Sequence, residues 1–100
     1  MDDRNYIIIL YDYYGDLFND KQKEYFEQYY FDNLSLQEIG DNLEISRNAI
    51  HKSIKGIINK LYFYEDKLKL YDKTSKILNI INNCDDIIIK NKIRDILEDD

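Results

Sequence analysis

The sequence predicts an all-α fold built around a helix-turn-helix, and three observations carry that prediction. Residues 35–54 read S-L-Q-E-I-G-D-N-L-E-I-S-R-N-A-I-H-K-S-I, which is two helix starts separated by one tight turn. The 100 residues contain no Pro and three Gly, so the chain lacks the punctuation that a many-turned sheet requires. From Ile50 onward, apolar residues recur at spacings of 4, 3, 4, 3, 4 and 3 as Ile50, Ile54, Ile57, Leu61, Tyr64, Leu68 and Tyr71. That is a heptad line sustained far beyond a short motif, and it predicts a long second arm.

The elements follow in order. A first helix is predicted over about 4–14, ending near Gly15; its apolar residues fall on two lines, so it must be covered on most sides. Asn19 or Asp20 caps a second helix over about 20–32, with Tyr25, Phe26, Tyr29 and Tyr30 as its inner surface. Ser35 and Glu38 form a capping box that starts a third helix over about 36–43, with Ile39 and Leu43 inward and Gly40 small enough for a close helix crossing. Ser46 caps a fourth helix running from Arg47 to about Leu70, roughly 36 Å at ~1.5 Å per residue. Gly56 lies inside it, where a bend or a close backbone approach is expected. Asp72, Thr74 and Ser75 supply the next break, followed by a short helix through Ile77–Ile81. Asn82 and Asn83 make a turn, and Asp85 caps a last helix with Ile87, Ile93 and Leu97. The expectation is one helical domain over 1–100, a helix-turn-helix core at about 19–60 and a C-terminal helical extension at about 61–100, with no wing.

Charge separates along this order. The net charge is −6, which argues against a general nucleic-acid glue. Residues 1–46 carry a net −8 and residues 61–100 a net −2, whereas residues 47–60 hold Arg47, Lys52, Lys55 and Lys60 with no acid. The one acid-free basic block therefore falls on the predicted recognition helix and points to an anionic partner: DNA, RNA or an acidic protein surface. The candidate contact residues are Arg47, Asn48, His51, Lys52 and Lys55 from the first turns of that helix, joined by Ser46 at its start. Ser35 and Gln37, at the start of the third helix, are placed to reach phosphates, while Arg47, Asn48, His51 and Lys52 face base edges.

Other chemistries find no support. There is no Gly-rich phosphate loop and no G-x-S-x-G, and the paired aspartates look like terminal or helix-start acids. His51 is the only histidine and has no Cys or carboxylate partners at metal-binding spacing. The expectation is a non-enzyme without metal or cofactor. Cys84, the only cysteine, suits a reducing cytoplasm and reads as a small packed hydrophobe. The N-terminal apolar run, Ile7 to Leu10, is too short for a signal sequence or a membrane span, so no membrane partner is expected. Ten tyrosines predict hydroxyls that need partners and partly exposed aromatic surface. Together with the heptad line, they predict a homodimer that meets through the first helix or through the fourth around Leu61, Tyr64 and Leu68.

The stretch L-Y-D-Y-Y-G-D-L-F-N-D-K-Q-K-E-Y-F-E-Q-Y-Y-F-D-N-L-S-L-Q-E-I-G, followed by I-S-R-N-A-I-H-K-S-I-K, resembles the YlxM family. The resemblance covers about residues 4–70, and the central part is also similar to region 4 of bacterial sigma factors. It implies a DNA-binding helix-turn-helix protein with an accessory or regulatory role in the signal recognition particle pathway. It leaves open contact with that particle's RNA or proteins and no DNA reading. Against the family pattern, Gly40 stands where Ala is usual, and His51 and Lys52 stand where Tyr and acidic residues are frequent. Glu44 occupies the turn position at which many such motifs have Gly; a positive φ is costly there, so a slightly different turn is expected.

Overall fold

Short polar side chains start five of the six α-helices formed by residues 3–98, the residues described by the structure, a computed structural model. The helices are α1 (Arg4–Tyr14), α2 (Asp20–Tyr30), α3 (Leu36–Leu43), α4 (Arg47–Leu68), α5 (Leu70–Asn82) and α6 (Ile87–Glu98), with one 3-10 turn at Gly15–Leu17. Asp3 accepts from the Asn5 amide, and Asn19 and Ser35 close reciprocal capping boxes with Gln22 and Glu38. Ser46 accepts from the Ala49 amide, and Asp86 from those of Ile88 and Ile89. Each cap satisfies donors that have no carbonyl four residues back, worth ~1 kcal/mol apiece. Among the described residues there is no strand, and the all-helical expectation is met.

The first four turns of α4 organise the packing. Ile50, Ile54, Ile57, Ile58 and Leu61 are buried against Ile7, Leu10 and Tyr14 of α1, Phe26 and Tyr30 of α2 and Ile39 of α3. Full burial of one such aliphatic side chain is worth about 1.5–3 kcal/mol, so this line supplies much of the driving force. Phe26 stacks between Tyr11 and Tyr30, with ring centroids 4.0 and 4.5 Å away. The Tyr11 hydroxyl donates to Glu27 at 2.7 Å. Burial first, and then that hydrogen bond, raise the Tyr11 phenol above its ordinary range. Arg4 reaches from α1 to the end of α2, donating to the Tyr30 carbonyl and, at 2.9 Å, to the side chain of Asn33. Asn33 takes a left-handed φ of 57° there, which ends α2 at Tyr30, before the predicted 32.

Helix α4 stops at Leu68, and the break predicted at Asp72–Ser75 is at Lys69 instead, with φ 55°. Asp72, Thr74 and Ser75 are helical because a partner distant in sequence starts α5. Glu65, buried to 8% exposure, accepts from the amides of Tyr71 at 3.1 Å and Asp72 at 3.0 Å. The Tyr14 hydroxyl donates to Glu65 at 2.6 Å and accepts from the Leu70 amide at 3.0 Å. Three orphan donors of α5 are thus met by a carboxylate of α4 and a phenol of α1. Further on, Asp86 rather than Asp85 starts α6, because its carboxylate reaches both first-turn amides. Cys84 is half-exposed in the preceding turn, not packed inside.

Much of the predicted dimer surface is covered within the chain, although Tyr64 is half-buried and Leu68 is 47% exposed. Leu61 is 0% exposed, and Ile7, Leu10, Tyr11 and Tyr14 of α1 are buried. The covering helices are α1, α2 and α3, while α5 meets the bundle mainly through Tyr71, whose ring lies 5.8 and 6.0 Å from those of Tyr6 and Tyr13. The remainder of α5 and α6 extends away. The molecule measures 55 × 22 × 22 Å with a radius of gyration of 17.0 Å, against about 13 Å for a compact chain of this size.

Burial, reinforced by the bond to Glu65, pushes the Tyr14 phenol up to about 12, from an ordinary 10. Above pH ~10 the unfolded chain loses this proton while the folded one keeps it, so stability is intact below pH ~10 and is lost as pH rises through about 12. Tyr14→Phe should cost about 2 kcal/mol in urea unfolding at pH 7, since the part-buried Leu70 amide and a Glu65 carboxylate oxygen each lose a partner. Its alkaline decline should be shallower than that of the wild type. Equal stability at pH 7 would contradict the assigned network.

Candidate nucleic-acid interface

The turn between α3 and α4 closes over a single glycine. The Glu44 and Ile45 amides both donate to the Gly40 carbonyl, Ile45 at 2.9 Å. A Cβ on residue 40 would lie 2.5 Å from the Ile45 carbonyl oxygen and 3.4 Å from the Arg47 amide nitrogen. Gly40 therefore does more than permit a helix crossing: its bare backbone seats the turn that delivers Ser46 and Arg47. Glu44 sits at φ 57°, ψ 42° in the left-handed region. The turn thus keeps the left-handed residue rather than departing from it, at a cost of ~1 kcal/mol for a non-glycine.

Ser35, Gln37, Ser46, Arg47, Asn48, His51, Lys52 and Lys55 are all exposed. Two of them are occupied by helix starts, Ser35 as acceptor for the Glu38 amide at 3.1 Å and Ser46 for the Ala49 amide at 3.1 Å. The Ser35 amide, and secondarily its hydroxyl, hold the Glu38 carboxyl below its ordinary range. Gln37 donates to Asp41 at 2.9 Å, so its amide lies along α3 beside a carboxylate. By contrast, Arg47, Asn48, His51, Lys52 and Lys55 make no side-chain hydrogen bond or ion pair among the described residues. Their helix buries Ile50, Ile54, Ile57 and Ile58 on the opposite side, which holds the donors outward.

Tyr29 is the neighbour that sequence reading missed. It joins Tyr30, Leu36, His51, Ile54, Lys55 and Ile58 around an open cavity of about 260 Å³ between α2 and α4. Only the fold brings α2 to this edge; in the sequence Tyr29 reads as inner surface alone. Gly56 brings no backbone close, for a Cβ there meets nothing within 4 Å, and α4 runs through it unbroken. The two glycines should therefore respond oppositely to alanine. Gly40→Ala should destabilise by about 1–3 kcal/mol through overpacking against backbone, and Gly56→Ala should stabilise by about 0.5–1 kcal/mol. Urea unfolding of both variants checks this, and a neutral Gly40→Ala would refute the close turn.

Two capped helices, a tight turn between them and a second arm with an outward cationic face define a helix-turn-helix protein. The family model described as "Putative helix-turn-helix protein, YlxM / p13 like" matches residues 1–99, and the chain belongs to that family. Among its relatives is a UPF0122 protein of Caldanaerobacter subterraneus subsp. tengcongensis, 40% identical over 87% of this chain and 74% of the relative. One of Ureaplasma parvum is 38% identical over 93% of this chain and 94% of its own. A third, of Fusobacterium nucleatum, is 39% identical over 85% of this chain and 82% of the relative. Among the described residues no helix is long and apolar enough to cross a membrane, and no cluster of His, Cys, Asp or Glu could hold a metal ion.

Proposed function

We propose that this chain binds nucleic acid, with duplex DNA as the ligand, through the first turns of α4. The observation that supports this most strongly is the acid-free block at residues 47–60, whose Arg47, Lys52 and Lys55 stand exposed and unpaired beside a formed helix-turn-helix turn. In this reading Arg47, Asn48, His51 and Lys52 enter the major groove. Lys55 and the start of α3 at Ser35 meet phosphates, with Ser46 at the near edge and Gln37 drawn along α3 by Asp41. The protein acts as a regulator in the cytoplasm and performs no catalysis.

A second reading, an accessory that binds signal recognition particle protein or RNA without reading DNA, draws support for its protein arm from the rest of the chain. Outside residues 47–60 the net charge is −10, which repels phosphates and confines any duplex to one small patch.

Fluorescence anisotropy with a random-sequence duplex and a structured RNA tests both readings. Arg47→Ala/Lys52→Ala should weaken duplex binding at least tenfold while leaving thermal unfolding unchanged. With Arg47, Lys52, Lys55 and Lys60 as the available cations, the log–log salt slope of one chain should be no steeper than about −3 to −4. Unchanged duplex affinity in the folded double variant would remove this assignment, and binding of the RNA alone would favour the second reading.

A further inference from the structure

We propose that the α5–α6 hairpin is a self-association surface, and that its occupant is the hairpin of a second copy of this chain. Apart from Ile81, no residue of α5 or α6 is buried. Ile77, Ile80, Ile87, Ile88, Ile89 and Ile96 are all exposed, Ile80 by 70% and Ile96 by 75%. Six exposed isoleucines within two short helices are more than scattered surface hydrophobes, and a helix pair apolar on two sides has a second face to cover.

Helical spacing shows how the residues line up. Leu78 and Ile81 on α5, and Ile93 and Leu97 on α6, are the partly or fully shielded apolar positions, so those lines face each other. The connection of residues 83–86 is short, which makes the helices antiparallel neighbours. Leu70 and Ile77 are one heptad apart, as are Ile89 and Ile96. Each pair stacks on one line, roughly a quarter-turn from the shielded line, and antiparallel packing brings both lines to the same side of the hairpin. Lys73 and Lys92 border this stripe, where their methylene stems extend it.

Charge favours a second copy, and the area suits a weak, reversible one. The stripe of Leu70, Ile77, Ile89 and Ile96 exposes on the order of 400 Å² per chain, which belongs to the small class of interface rather than the standard one. Residues 70–98 hold five acids and five bases, a net charge of zero, whereas residues 1–69 carry a net −4. Two hairpins therefore meet without net repulsion, while two acidic bodies do not. A charged partner finds no excess of either sign to grip. Two copies joined through like faces bury both stripes in a four-helix arrangement with a closed two-fold interface. The surface lies beyond the C-terminal end of α4, so the face bearing Arg47 stays open.

Sedimentation velocity of the full chain across micromolar concentrations, in the presence of a thiol reductant, tests the proposal. The wild type should populate a species at twice the 12.1 kDa chain mass. Ile89→Lys/Ile96→Lys should raise the dimer dissociation constant at least tenfold with unchanged helical circular dichroism, since both side chains are exposed in the single chain. A wild type that stays at the monomer mass at every concentration would overturn the proposal, as would a dimer undiminished in the double variant. A dimer seen only without reductant would be a Cys84 disulfide and would equally overturn it. Failure here leaves the single-chain anisotropy result untouched, so the two readings fail separately.

Discussion

The structure depends on one helix being divided lengthwise into a buried line and a cationic one. Ile50, Ile54, Ile57, Ile58 and Leu61 of α4 are the common floor on which α1, α2 and α3 pack. The hydrophobic effect acting on that line fixes the rotation of α4 about its own axis. Once the rotation is fixed, Arg47, Asn48, His51, Lys52 and Lys55 have no choice of direction. The outward face is thus a by-product of core packing, and no dedicated contact is required to hold it. Gly40 then sets the axial position of the same helix, because the turn that seats Ser46 rests directly on its backbone. Packing and turn together place five donor-rich side chains on a rigid element.

At its other end α4 is joined to α5 by electrostatics rather than by apolar contact. Glu65 and Tyr14 supply the acceptors that the first turn of α5 lacks. A buried carboxylate is costly unless its oxygens are saturated, and here a phenol and two amides saturate them. The arrangement keeps α5 attached at one end only. Past Tyr71 the chain leaves the core, which explains an elongated molecule with isoleucines still facing water.

Much of this was legible in the sequence where the physics is local. The capping box at Ser35 and the cap at Ser46 placed the starts of α3 and α4 correctly, and Asn19 or Asp20 bracketed that of α2, because a cap and its amides lie within three residues of each other. The Ile50–Leu61 line was legible because burial follows helical period. The break at Lys69 was not, since nothing local marks it: the acceptors that start α5 include a tyrosine on α1. Beyond Leu61 the heptad line is only partly covered, with Leu68 exposed, and α1, α2 and α3 cover its first half, because periodicity says that a face is covered and not by what. Glu44 shows the converse, a residue with poor left-handed propensity held at φ 57° by the turn around it. The candidate contact residues were legible as a cationic block, whereas the cavity that sets Tyr29 beside His51 and Lys55 needed the packing of α2 on α4.

The donor-rich face of α4 thus lies toward one end of the molecule and the exposed isoleucines of the α5–α6 hairpin toward the other. The most direct test of the central claim is a residue-by-residue map of amide chemical shifts as a short duplex is titrated into the full chain. The account predicts the largest changes at residues 35–37 and 46–55, with α6 unmoved. Changes centred on residues 70–98, or none at any duplex concentration, would contradict it.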